Sequence, residues 1–190
     1  MLSIPLLSDF GPQPAFVIVG GIGVPTVPTP LTVSIASPAV GDIFISITPS
    51  NSNLLTVLGG GVTIPAGQTS APVLVNGLLE GTASLSATLG GTSLNATVQV
   101  YSEITPPVLQ SLTPASVTIS PNETKGFAIT LNEPAPAGGT TIALAANPAN
   151  LGSLPATVTV PQGQTTLTFG FTAGASDGSA TITEIGRAHV

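Results

Sequence analysis

The sequence predicts an all-β chain of two tandem sandwiches, and three observations predict it. Apolar residues alternate with Ser and Thr over short runs, Gly and Pro punctuate those runs, and the pattern of the first half returns in the second. The runs Leu31-Thr-Val33-Ser-Ile35 and Ile43-Phe-Ile45-Ser-Ile47 put every second side chain on one face. So do Leu94-Asn-Ala96-Thr-Val98-Gln-Val100, Phe127-Ala-Ile129-Thr-Leu131 and Leu167-Thr-Phe169-Gly-Phe171. A period of two over about four to eight residues marks a half-buried strand, and Thr suits its outward face because β-branched side chains fit a pleated surface. Breaks fall at Gly59-Gly-Gly61, Pro65-Ala-Gly67, Gly90-Gly91, Gly138-Gly139, Pro161-Gln-Gly163 and Asp177-Gly178. Gly90-Gly91, between Leu89 and Leu94, predicts a tight hairpin. No capped amphipathic helix longer than a turn is expected.

Composition bounds the class. The 190 residues include 22 Gly, 19 Pro, no Cys and no Trp, and only 5% are charged, against about a quarter in an ordinary soluble domain. The formal net charge of −6 leaves no basic patch for phosphates, which excludes a nucleic-acid partner. Without Cys there are no disulfides, thiolate metal sites or thiol nucleophiles. A mean hydropathy of +0.55 raises the question of a membrane span. The longest apolar run, Ala15 to Val24, has ten residues between Pro14 and Pro25, half of the about 20 a spanning helix needs. Nothing basic precedes it, and Pro5, Pro12 and Pro14 interrupt the approach, so it does not read as an export signal. The regular apolar spacing argues against disorder.

The repeat sets the domain count. Val62-Thr-Ile-Pro-Ala-Gly-Gln-Thr69 returns 96 positions on as Val158-Thr-Val-Pro-Gln-Gly-Gln-Thr165. Leu31–Ile35 and Phe127–Leu131, and likewise Pro38-Ala39 and Pro134-Ala135, keep the same offset. With one inserted residue, Gly81-Thr-Ala-Ser-Leu85 aligns with Gly178-Ser-Ala-Thr-Ile182. Each copy has the size of an immunoglobulin-like sandwich of about seven strands. The expected division is 1–14 as an N-terminal extension or the end of a preceding repeat, 15–101 as module 1, 102–107 as a Pro-Pro linker, 108–183 as an incomplete module 2, and 184–190 as a non-native tail.

The stretch Ile129-Thr-Leu-Asn-Glu-Pro-Ala-Pro-Ala-Gly-Gly139, with Asn147-Pro-Ala-Asn150, Val158–Thr165 and the opening Leu112-Thr-Pro-Ala-Ser-Val-Thr118, resembles bacterial Ig-like (Big-type) repeats. The resemblance covers nearly all of 108–183 and, more loosely, 16–101. It implies an extracellular or cell-surface stalk, spacer or adhesin segment whose partners are neighbouring repeats and surface or glycan ligands. Such repeats share no catalytic residues, so the resemblance transfers no site and no cofactor.

The ending Glu184-Ile-Gly-Arg-Ala-His-Val190 resembles a translated short-read sequencing adapter, and it carries the only Arg and the only His of the chain. It begins where module 1 runs on through Gly90-Gly91 into Leu94–Val100. Module 2 is therefore expected to lack its last strand, to leave an open edge near Ala180–Thr183, and to be the less stable copy.

Chemistry-bearing residues are sparse. His189 has no second His or Cys to work with. Asp9, Asp42, Glu80, Glu103, Glu123, Glu133 and Asp177 are scattered singly through loops, whereas Ca²⁺ needs several clustered oxygens. Glu103 and Asp42 are the best candidates for a Ca²⁺ contact near the linker. Lys125 shares parity with Phe127 and is expected to point inward or snorkel at a strand start, beside Asn122 and Glu123. Asn95-Ala-Thr97 and Asn122-Glu-Thr124 are formal glycosylation sequons. No base accompanies the many Ser and Thr, so the chain reads as non-enzymatic, with no catalytic, cofactor or metal residues. A sugar-binding alternative wants exposed aromatics. Tyr101 is the only Tyr, and Phe44, out of parity with Ile43 and Ile45, is the one exposed candidate.

Overall fold

The computed structural model describes residues 5–103 and 106–188. Met1, His189 and the Ile104-Thr105 centre of the expected linker lie outside these. The chain divides into two compact units, Met1–Ile104 and Thr105–Val190. Strand makes up 54% of the described residues, and none of them is in an α-helix. Both units are Ig-like sandwiches of mostly antiparallel strands.

Unit 1 begins with β1 (Leu7–Gly11), β2 (Ala15–Ile18), β3 (Val24–Pro25), β4 (Thr32–Ile35) and β5 (Ile43–Pro49). It continues with β6 (Leu55–Val57), β7 (Gly61–Ile64), β8 (Ser70–Pro72), β9 (Leu74–Gly77), β10 (Gly81–Leu89) and β11 (Thr92–Tyr101). One face is a five-stranded sheet ordered β2-β11-β10-β5-β7. The other consists of the short sheets β1-β4-β8 and β3-β9-β6. The Gly90-Gly91 hairpin is present: Leu89 pairs with Thr92, and both glycines have positive φ, 57° and 84°, as a two-residue turn matched to strand twist demands.

Unit 2 contains β12 (Leu109–Thr113), β13 (Thr124–Leu131), β14 (Thr140–Asn147), β15 (Gly152–Ser153), β16 (Thr157–Val160), β17 (Thr166–Ala173) and β18 (Thr181–Ala188). Its sheets are β12-β13-β17-β15 and β16-β14-β18.

The repeat is a repeat of contacts. Ile35 N–H donates to Thr69 O at 2.8 Å, and Leu131 N–H to Thr165 O at 2.7 Å. Ala39 and Ala135 donate to Gln68 and Gln164 at 2.9 Å, and accept from Gly67 and Gly163 at 2.7 and 2.8 Å. In each unit a Pro-x-Gly-Gln turn, with its glycine at φ 81° or 74°, docks on a buried alanine after the long inner strand. The positive φ favours Gly there. This clasp explains why Pro-Ala and Pro-x-Gly-Gln-Thr recur at one offset.

One boundary differs from the sequence expectation. Residues 7–11, assigned ahead of module 1, form its first strand, and Phe10 is buried in the module's core at 5% exposure. A bulge between Leu7 and Asp9 breaks the period of two, so Leu7 and Phe10 both face inward three residues apart. Unit 2 repeats the device: Leu109 pairs with Leu131 and Leu112 with Ile129, again across a one-residue shift.

Prolines account for the main difference between the long inner strands. Pro28 and Pro30 lack the donors a ladder needs, and β4 starts only after them. The buried Thr26 takes over there: its Oγ1 accepts from Leu31 N–H at 2.7 Å and donates to Thr29 O at 3.1 Å. Unit 2 has Thr124 and Gly126 at the matching places, and β13 pairs with β17 from Thr124 onward.

The cores differ in extent. Among the described residues twenty-one buried side chains form the core of unit 1 and nine that of unit 2. Unit 2 fills part of its space with rings. Phe127 stacks on Phe169 at 5.9 Å and meets Phe171 edge-on at 6.5 Å, where unit 1 has Leu31, Val73 and Val75. Leu85 on β10 is fully buried, whereas its counterpart Ile182 on β18 is only half-buried. Leu85→Ala is expected to cost about 2–5 kcal/mol and to shift the later of two urea transitions. Ile182→Ala should cost less than half as much and shift the earlier one. Urea unfolding followed by far-UV circular dichroism checks both.

Candidate functional site

The ionisable groups stand apart. Asp9, Asp42, Glu80, Glu103, Glu123 and Asp177 are exposed, and Glu133 and Glu184 are half-buried. Asp42 Oδ1 accepts from Ala66 N–H at 3.0 Å, bracing the Pro-Ala-Gly turn. Glu123 Oε2 accepts from Ser120 N–H at 3.2 Å, and Glu123 N–H donates to Ser120 O at 3.0 Å. These carboxylates hold turns. Among the described residues no three His, Asp or Glu side chains gather as metal ligands, and no helix is long and apolar enough to cross a membrane.

Of the two orientations expected for Lys125, inward or snorkelling, the inward one is not taken. Lys125 is exposed, as are Thr124 and Gly126, and burial on β13 starts at Phe127. The first turn of alternation lies beyond the core, so parity there no longer implies burial. Asn122, at φ 64°, occupies the tight turn just ahead. Asn95 points outward from β11 and is exposed.

The aromatics divide cleanly. Tyr101 is buried and meets Phe16 edge-on at 6.4 Å. Of the seven aromatic residues only Phe44 is exposed, at 56%. Its ring lies over Gly61, where an added Cβ would come within 2.7 Å of the ring and 2.2 Å of the Ile45 carbonyl. A shallow recess of about 310 Å³ on unit 1, lined by Gln13, Phe16, Thr82, Thr97 and Gln99, contains no charged group.

A larger hollow than this recess belongs to unit 2. In unit 1 β11 lies between β10 and β2, antiparallel to the first and parallel to the second. Among the described residues of unit 2 no strand pairs with the far side of β18. The segment matching β2, residues 117–120, forms no strand, although Val117-Thr-Ile119 alternates as a strand should. In the place of β11 is a slot of about 860 Å³. One bank is the 114–119 segment with Pro121, the other is 176–182, and Leu112, Leu151, Phe127 and Phe171 contribute its floor. The open edge expected near Ala180–Thr183 is this bank. The loss of strand at 117–120 was not foreseen, because alternation reports what a strand could bury and not whether a partner is present.

No protein-family model matches the chain, and no curated protein matches it. Solved structures similar to it include the D0-D1 domain of Intimin, at 12% identity, covering 93% of this chain and 89% of that one, with a TM-score of 0.40. Domains 5-6 of the S-layer protein SbsC give 17% identity, 97% and 96% coverage and a TM-score of 0.37. The BSP domain of a biofilm associated protein gives 14%, 95% and 26%, with a TM-score of 0.30.

Proposed function

We propose that the chain is a non-catalytic, load-bearing spacer of an extracellular or cell-surface bacterial protein. One observation carries the reading. In unit 1 β2, near the N-terminal end, lies parallel to β11 at the C-terminal end, paired from Val98↔Ala15 to Tyr101↔Ile18. Val19 N–H extends the ladder to Tyr101 O at 2.8 Å. Once β1 is shed, a pull through the two ends draws these strands in opposite directions along their length. The pairs are then loaded together in shear and must yield together, unlike a hairpin that unzips one bond at a time. Each hydrogen bond contributes only about 1 kcal/mol net, so resistance depends on this simultaneity.

The outer surface fits such a part. Hydroxyl pairs stitch neighbouring strands where charges would stand in other proteins: Thr88 with Ser93 at 3.0 Å, Thr124 with Thr172 at 2.8 Å and Thr141 with Thr159 at 3.0 Å. These links need no ionised partner and are insensitive to salt.

Stretching single molecules is expected to give a discrete unfolding step of about 30 nm for unit 1, from roughly 3.4 Å per residue released. Val17→Pro, which removes a ladder donor inside β2, should lower the force of that step and leave its length unchanged. An unchanged force would refute the shear reading.

Phe44 supports a second reading, an adhesin or carbohydrate-binding accessory module, because an exposed ring can stack on a sugar. That reading predicts specific signals on a glycan array that vanish in Phe44→Ala. An array blank for both proteins removes it.

A further inference from the structure

We infer that Asn76-Gly77 in unit 1 is a latent self-modification site, closed while the unit is folded and reactive once β9 opens. The inference does not depend on the load-bearing reading. Of the Asn residues in the chain only Asn76 precedes a Gly. With no Cβ on the following residue, the next backbone nitrogen is free to swing towards the Asn side-chain amide whenever the chain is unconstrained.

The reaction needs only the chain and water. The Gly77 nitrogen gives up its proton and bonds to Cγ of Asn76. The Cγ–Nδ2 bond breaks, and Nδ2 leaves with that proton as ammonia. Water then opens the cyclic imide. Cleavage between Cγ and the nitrogen gives aspartate, and cleavage at the main-chain carbonyl of residue 76 gives isoaspartate. No oxidant or reductant takes part.

The fold both uses this pair and restrains it. Asn76 Oδ1 accepts from Gly23 N–H at 2.6 Å, and its Nδ2 donates to Thr56 Oγ1 at 2.9 Å. Gly77 N–H donates to Gly21 O at 2.9 Å, and Gly77 O accepts from Gly20 N–H at 2.8 Å. An added Cβ at Gly77 would collide with the Ile18 carbonyl, so a side chain has no room there. The attacking nitrogen and the amide it must reach are thus each tied to other partners, with Asn76 half-buried and Gly77 buried. Attack requires those bonds to break, so the rate follows the population of the opened form.

The products differ in what they do to the sheet. Isoaspartate adds a carbon to the main chain inside β9, where Val75 pairs with Val24 on one side and Val57 on the other, and Gly77 pairs with Leu55. The longer main chain breaks that register. Aspartate keeps the register, but it loses the donor that faced Thr56 and brings a charge into a half-buried place. Opening therefore leaves a permanent mark on unit 1 and none of this kind on unit 2, where no Asn precedes a Gly.

Ageing the full chain at mildly alkaline pH, folded in buffer and unfolded in guanidinium chloride, is the test. Peptide mapping by mass spectrometry and an isoaspartate methyltransferase assay read the products. The unfolded chain should convert at Asn76 ahead of every other Asn, and the folded chain should convert there at least about a hundredfold more slowly. Thr56→Val, which removes the acceptor of Nδ2, should raise the folded-state rate about fivefold and leave the unfolded-state rate unchanged. The comparison of the parent chain with and without denaturant needs no variant, so it tests the proposal even if Thr56→Val fails to fold. The inference is overturned by any of three results: faster conversion at another Asn in denaturant, equal rates at Asn76 in the folded and unfolded chains, or no acceleration in a folded Thr56→Val chain.

Discussion

One strand laid between two others is the constraint on which both units depend. In unit 1 β11 satisfies backbone groups on both its edges, covers the inner row of β10 and adds Ala96, Val98 and Val100 to the core. Burying two valines alone is worth roughly 3–6 kcal/mol, a large part of what holds a small domain folded. Placing β11 also turns residues 15–18 into a strand. In unit 2 the same position is a slot, and residues 117–120 stay outside any sheet despite their alternating sequence. Among the described residues no strand lies beside them to pair with.

The internal symmetry makes this comparison quantitative. The clasp between the Pro-x-Gly-Gln turn and its buried alanine matches in all its hydrogen bonds to within about 0.1 Å between units, and the bulged first strands share one register. Differences therefore stand out against an otherwise constant frame. Where Ala87 is fully buried on β10, β18 carries the half-buried Glu184, and the register shifts just beyond it. A carboxylate is costly in a closed core and tolerable at an open edge.

Most of the fold was legible in the sequence because its physics is local. Period-two runs gave the inner strands, Gly90-Gly91 gave the hairpin, and the offset of 96 gave the doubling. What escaped depended on irregularity or on partners. The bulge in Leu7–Gly11 moved two inward residues to a spacing of three and hid a strand. Lys125 kept the parity of β13 but stands beyond the reach of the core, so parity alone could not choose between its inward and snorkelling orientations. The slot was half legible: the missing cover for Ala180–Thr183 followed from aligning the copies, whereas the unpaired state of 117–120 needed the topology. Phe44 was found by parity alone, since in a chain with so few aromatics one ring out of phase with its neighbours is conspicuous.

The central claim, that a covering strand separates the two units physically, is tested most directly by amide hydrogen exchange on the intact chain. Exchange at each site reports the free energy of opening there. Amides of residues 81–87 that face β11 should exchange only with unfolding of unit 1. Those at the matching positions 178–184, facing away from β14, should exchange at least about a hundredfold faster. Equal protection at the two sets of sites would contradict the account.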